Sequence, residues 1–308
     1  MSLADTIVVD CIASVEIFWG LLINGFITVN KLKDWWNCRK MKPFDQIFLG
    51  LGLSRFFIMY FYIFNIISRS FSLNVYHIEV LNWMLNAAYL FLDFSSLWFS
   101  MWLGVLYYLK VAIFKNTLLI RIKLRISELV PYMIVFTVVI SVVLGFVFAY
   151  NFSSALDFMN PQSHMNNNQS IEKYLRFAIP SYFFGHFLSF IIVTISAFFL
   201  MQTIFAHVKH IRNNVVSFTS PSINAHLSVI RLAIVLEVMT VFNLVICILF
   251  RFDVYDICNN AVLFVFKIAY PVLHSTALIV GNTKLKNSTL KLLQHLKECG
   301  TLRNNPAK

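Results

Sequence analysis

The chain has 308 residues, 59% of them hydrophobic and only 13% charged, about half the charged share of a soluble domain, so it reads as an integral membrane protein. Its net charge of +11 does not mark a nucleic-acid binder, because the 25 Lys and Arg stand in short clusters between apolar runs, as loops beside a membrane do. The five cysteines, Cys11, Cys38, Cys247, Cys258 and Cys299, are scattered and form no CxxC, which excludes metal-ligand spacing and a disulfide framework.

Taken in chain order, seven apolar runs lie at about 7–30, 46–67, 79–109, 127–150, 177–206, 229–250 and 261–280. Each is long enough to cross a bilayer, so the fold class is all-α, a single seven-transmembrane helix bundle over 1–308 with a tail from 281. The first ten residues hold two Asp and no Lys or Arg, so the first run is expected to serve as its own insertion signal. Assigning the connections alternately puts five Lys or Arg in 31–45, five in 110–126, three in 207–231 and six from 281 onward. These make 19 on one side against four (Arg69, Lys173, Arg176, Arg251) on the other, which predicts an outside N-terminus and an inside C-terminus in the plasma membrane. The polar outer segment 151–176 carries two sequons, Asn151 and Asn168. Asn168 is the better glycan acceptor because Asn151 lies against the membrane. After the last span, Lys284 to Glu298 puts Leu285, Leu292, Leu293 and Leu296 on one face, with lysines largely elsewhere. It reads as a basic amphipathic helix on the inner leaflet, the alternative being a solvated tail.

No G-x-S-x-G, H-E-x-x-H or P-loop occurs, and no span holds two carboxylates at i, i+4, so no enzyme, cofactor or metal is expected. The polar residues inside the spans are few. Asn24 and Arg55 lie in the inner halves of the first two and read as a hydrogen-bonded brace. Asp93 stands 17 residues before Lys110, about 25 Å above the inner end of its helix, and Lys267 about two turns below the outer end of the seventh span. An isolated charge in the membrane is costly, so the two are expected to face one pocket and pair, as a structural ion pair or as ligand contacts. Tyr89 and Asn86 follow on the same face, one and about two turns above Asp93. Glu237, in the sixth span, has no partner evident from sequence.

Several local motifs together resemble the taste receptor type 2 family, the bitter taste G-protein-coupled receptors. The first span carries Glu16-x3-Gly20-x3-Asn24-x-Phe26-Ile27 and the second Leu51-Gly52-Leu53-Ser54-Arg55. The third carries Trp98-Phe99 and then Leu106-Tyr107-Tyr108-Leu109-Lys110-Val111-Ala112, which is similar to the family's Phe-Tyr-Phe-Leu-Lys-Ile-Ala. Pro221-Ser222-x-x-Ala225-His226 precedes the sixth span, and Tyr270-Pro271-x-x-His274-Ser275-x-x-Leu278-Ile279-x-x-Asn282-x-Lys284-Leu285-Lys286 runs through the seventh. The likeness extends from residue 15 to about 290.

The resemblance implies a small-molecule bitter agonist in an outer-bundle pocket, bound by Tyr89, Asp93, Asn243, Phe264 and Lys267, to which the shared helical face adds Asn86. It also implies a heterotrimeric G protein of gustducin type (or Gi/o) at the cytoplasmic face, with activation and coupling carried by Asn24, Arg55, Tyr107, Lys110, His207, His226, His274 and Ser275. Against the family pattern, Tyr replaces Trp at Tyr89, Asp replaces Asn at Asp93, and Lys267 adds a charge. Other readings of two intramembrane charges are a light receptor with Lys267 as a retinal Schiff base, a transporter, and a pheromone receptor of the vomeronasal type. Inverted repeats and broken helices, which would support a transporter, are not found, and the vomeronasal seventh-span pattern fits His274-Ser275 less well.

Overall fold

A computed structural model of the protein describes residues 3–39, 41–71, 79–112, 117–156, 179–214, 221–252 and 257–304. Among these residues are nine helices and no strand: α1 (Leu3–Cys38), α2 (Pro43–Ser70), α3 (Glu79–Val111), α4 (Thr117–Leu124), α5 (Ile126–Leu156), α6 (Ile179–Asn214), α7 (Pro221–Phe252), α8 (Ile257–Gly281) and α9 (Thr283–Asn304). Seven of them, α1, α2, α3, α5, α6, α7 and α8, carry stretches apolar and long enough to cross a membrane, and they are the first to seventh spans. The fold is a seven-transmembrane helix bundle.

The helices overrun the apolar runs, because hydropathy ends where the hydrocarbon does and the backbone ladder need not. α1 continues through Lys31, Lys33 and Asp34 to Cys38 and stops at Arg39, which takes a left-handed φ of 52°. Pro43 then opens α2, at a position whose N–H would have no helical partner anyway. Asp45, in that first turn, accepts from the buried Lys31 ammonium at 2.6 Å and pins the two helices together. α4 is too short and too basic for the apolar count to register. It is held by the Lys123 ammonium, which donates to the carbonyls of Lys110 (3.2 Å) and Ala112 (2.8 Å) at the end of α3.

α3 is the central helix, packed on α2, α5 and α6, while α8 closes the ring against α1 and α7. Gly145 permits the approach of α5 to α3: a Cβ there would meet the Phe91 nitrogen at 3.2 Å and the Ala87 oxygen at 3.3 Å. The Trp102 indole bonds Thr137 Oγ1 at 2.9 Å across the same seam. Side chains that face away from the bundle are apolar and exposed, among them Val139, Val143, Phe146, Phe198 and Val238, which is the surface a bilayer requires.

α9 outruns the expected amphipathic segment at both ends, since Asn282 caps it by accepting from the Lys284 and Leu285 amides at 3.1 and 3.2 Å. Leu285 is buried against the bundle, and Leu290 and Leu292 are exposed. The Lys284 ammonium donates to Asp34 at 2.7 Å, and that carboxylate holds it above the usual lysine range. Lys110, α9 and the α1–α2 connection therefore share one basic end of the bundle.

Candidate functional site

Three helices converge on Asp93. Its Oδ2 lies 3.6 Å from Lys267 Nζ on α8 and 3.6 Å from His186 Nε2 on α6. Lys267 and His186 are both 3% exposed, so the charges meet inside the protein and not at its surface. His186 Nδ1 lies 3.0 Å from the Tyr182 carbonyl, one turn back. A carbonyl only accepts, so Nδ1 carries the proton, and Nε2 becomes a donor toward Asp93 only when the ring is an imidazolium.

The Lys267 ammonium also stands 4.9 Å above the Tyr89 ring, a cation–π contact. The Tyr89 hydroxyl is 3.5 Å from that of Tyr62, whose ring meets Phe264 edge-on at 5.5 Å. Beside this cluster is a small cavity of about 10 Å³ bordered by Tyr62, Asp93, Ser96, Asn243, Lys267 and Pro271, among others. Pro271 has no N–H, so the Lys267 carbonyl, four residues earlier, loses its helical donor next to the cavity. Of the six residues expected to bind a ligand, Asp93, Asn243 and Lys267 border this space, and Tyr89 and Phe264 flank it through Tyr62. Asn86 stands apart, its amide turned to Asn82 at 2.7 and 2.9 Å.

About one turn toward the basic end, the fully buried Arg55 holds α2 to α3 and α8. Its Nε donates to Ser96 (3.0 Å) and its Nη2 to Ser100 (3.0 Å), while Nη1 donates to Ser275 (2.8 Å) and lies 3.0 Å from His274 Nδ1. Ser275 passes the link to α1 by donating to Asn24 Oδ1 at 2.7 Å. Among the described residues the guanidinium has no carboxylate partner, and it also faces the Tyr270 ring at 5.6 Å. At the basic end, Phe44 stands between Tyr107 (ring centroids 5.3 Å apart) and the Lys110 ammonium (5.1 Å). Asn168 lies outside the described residues. Asn151, His207 and His226 fall in helices with side chains outside the described set.

Sequence reasoning missed His186, Tyr62, Ser96 and Ser100. His186 had a signal, since an ionisable side chain in an apolar run is uncommon; the others carry hydroxyls that many spans tolerate. Glu237, partnerless in the sequence, accepts from Thr194 Oγ1 of α6 at 2.5 Å.

The family model described as Taste receptor protein (TAS2R) matches residues 1–297. Taste receptor type 2 member 39 of Macaca mulatta is 27% identical over 286 residues, 91% of this chain and 84% of that protein. Member 4 of Gorilla gorilla gorilla is 27% identical over 290 residues, covering 92% and 95%, and member 40 of Gallus gallus is 26% identical over 294, covering 94% of each. With a match over almost the whole length on seven membrane-capable helices, the chain belongs to the taste receptor type 2 family of G-protein-coupled receptors: a multi-pass receptor of the plasma membrane and not an enzyme, with a small-molecule ligand, a G protein and the bilayer as partners.

Proposed function

We propose that this receptor binds bitter-tasting small molecules in the cavity beside Asp93 and Lys267 and activates a heterotrimeric G protein of gustducin type (or Gi/o) at its basic end. One observation carries the reading: in a chain of this family, Asp93, Asn243 and Lys267, from three different spans, border one cavity. The bias of Lys and Arg toward the α9 end supports an orientation with the N-terminus and the cavity outside and α9 on the cytoplasmic leaflet. Asn168 then carries the glycan. An anion, a buried ammonium, a buried imidazole and an aromatic face in one place suit agonists that are zwitterionic or singly charged, since such a ligand replaces one protein charge with its own. Agonist binding shifts the bundle by its differential affinity for two states, and the Arg55 network with Asn24, His274 and Ser275 re-forms between them. Tyr107, Lys110, His207 and His226 belong to the face that meets the G protein.

The test is a calcium response in cells that express the chain with a promiscuous G protein carrying a gustducin tail, challenged with a bitter panel of neutral and charged compounds. A dose-dependent signal absent from mock cells supports the reading, and Asp93→Asn should weaken the charged agonists selectively. Silence across the panel despite surface staining would overturn the bitter-agonist reading. Equal action of neutral and charged agonists on parent and Asp93→Asn would overturn the charge preference.

A further inference from the structure

A second and larger cavity lies between α3, α6, α7 and α8, about 60 Å³ against about 10 Å³ beside Asp93. Leu97 and Tyr270 border both and separate them. Its wall is mostly apolar, with hydroxyls from Ser100, Tyr107, Ser189, Thr240 and Tyr270, the His274 imidazole, and one carboxylate, Glu237.

That carboxylate differs from Asp93 in its surroundings. Asp93 has two basic neighbours at 3.6 Å. Glu237, only partly buried, receives one hydroxyl, that of Thr194 on Oε1, and makes no ion pair among the described residues. Arg55 does not serve it: the guanidinium stays behind the wall, engaged with Ser96, Ser100, Ser275 and His274. A carboxylate at membrane depth needs a counter-charge, water or a proton, and the open space in front of Glu237 has room for a group that supplies the first. The apolar remainder of the wall fits a hydrocarbon body and excludes a strongly hydrated ion.

We propose that this cavity is a second binding site, separate from the one beside Asp93, in which Glu237 accepts the ammonium of a small lipophilic amine while the apolar wall takes its body. Thr194 acts as a positioning residue, since its hydroxyl holds one oxygen of Glu237 against α6 and leaves the other for the ligand. The site does not depend on the bitter-agonist reading, because it concerns what the bundle binds and not what it signals.

The test uses the full chain in lipid nanodiscs with Ala233→Cys, a substitution on the cavity wall one turn from Glu237. The introduced thiol is titrated with 2-aminoethyl methanethiosulfonate, a cation, and with the anionic 2-sulfonatoethyl analogue. Each rate is scaled to that reagent's rate with glutathione, and the parent chain is subtracted for its own cysteines. The cation should react more than tenfold faster than the anion. Millimolar benzylamine should slow labelling at least threefold, and benzyl alcohol, of the same shape without the charge, should not. Glu237→Gln, which keeps an oxygen for Thr194, should abolish both differences. Equal scaled rates, equal protection by amine and alcohol, or unchanged selectivity in Glu237→Gln would each overturn the proposal. If Glu237→Gln fails to fold, the reagent pair and the ligand pair on Ala233→Cys alone decide it.

Discussion

Asp93→Asn should destabilise the bundle more than Lys267→Met, although each removes one side of the same pair. At 3.6 Å and an effective dielectric constant of about 20, opposite unit charges attract by about 4.6 kcal/mol before desolvation is subtracted. Losing one partner of a buried pair costs about 3–5 kcal/mol, because the other charge stays buried. Asparagine at this position strips the carboxylate from two basic groups at once, Lys267 and His186, so the full 3–5 kcal/mol is expected. Methionine in place of Lys267 leaves Asp93 with a second basic neighbour, His186, at 3.6 Å, and should cost about 1–2 kcal/mol, less than the full loss of a buried partner. The double variant should be less destabilised than Asp93→Asn alone, since it no longer buries the Lys267 ammonium. The assays are thermal unfolding of purified receptor and flow cytometry of an extracellular tag. At roughly 2 °C per kcal/mol for a chain of this size, Asp93→Asn should melt about 6–10 °C lower. A melting point for Asp93→Asn within 1 °C of the parent, or a larger loss in Lys267→Met, would refute the shared-anion account.

Ser275→Ala cuts the relay from Arg55 to Asn24. Two bonds at about 0.6 kcal/mol each inside a membrane predict a loss of about 1.2 kcal/mol, read as a lowered melting point with surface expression retained. Gly145→Leu drives a side chain into the Phe91 and Ala87 backbone, should cost at least about 1–3 kcal/mol as overpacking, and should be retained in the secretory pathway. Lys123→Met uncaps the last turn of α3 and frees α4. It should cost about 0.3–1 kcal/mol and raise protease sensitivity between the third and fourth spans, and Lys123→Arg should restore resistance.

The bundle was legible because bilayer thickness imposes a length on every apolar run, and seven such runs survive any choice of helix boundary. Helix ends were not: nothing in hydropathy says that α1 continues past Lys31 into Trp35 and Trp36, or that residues 117–124 coil into α4. Asp93 and Lys267 announced themselves as charges in apolar sequence. His186 obeyed the same rule, and its place opposite Asp93 depends on the rotation of α6 about its axis, which local periodicity does not fix. The same holds for Thr194 and Glu237, 43 residues apart and in contact only through the register of α6 on α7. Ser96 and Ser100 were invisible for a different reason: a serine in a span bonds its own helix readily, as Ser100 does to the Ser96 carbonyl, so its sequence gives no hint that Arg55 also claims it.

The charged pair and the Arg55 network are carried by the same two helices. On α3, Ser96 follows Asp93 by three residues, about 4.5 Å along the axis; on α8, His274 and Ser275 follow Lys267 by seven and eight. Between them on α8 stands Pro271, where the helix lacks one backbone bond and bends most readily. In the proposed mechanism a ligand that parts Asp93 from Lys267 tilts or rotates α3 against α8. That displacement reaches Ser96, Ser100 and Ser275 within about one to two turns, where a single rigid guanidinium bonds all three. A planar fork fixed to both helices cannot absorb a relative rotation without breaking a bond on one of them. In the proposed receptor mechanism this is the two-state element: Arg55 holds one arrangement of α3 and α8, and a ligand between Asp93 and Lys267 favours another.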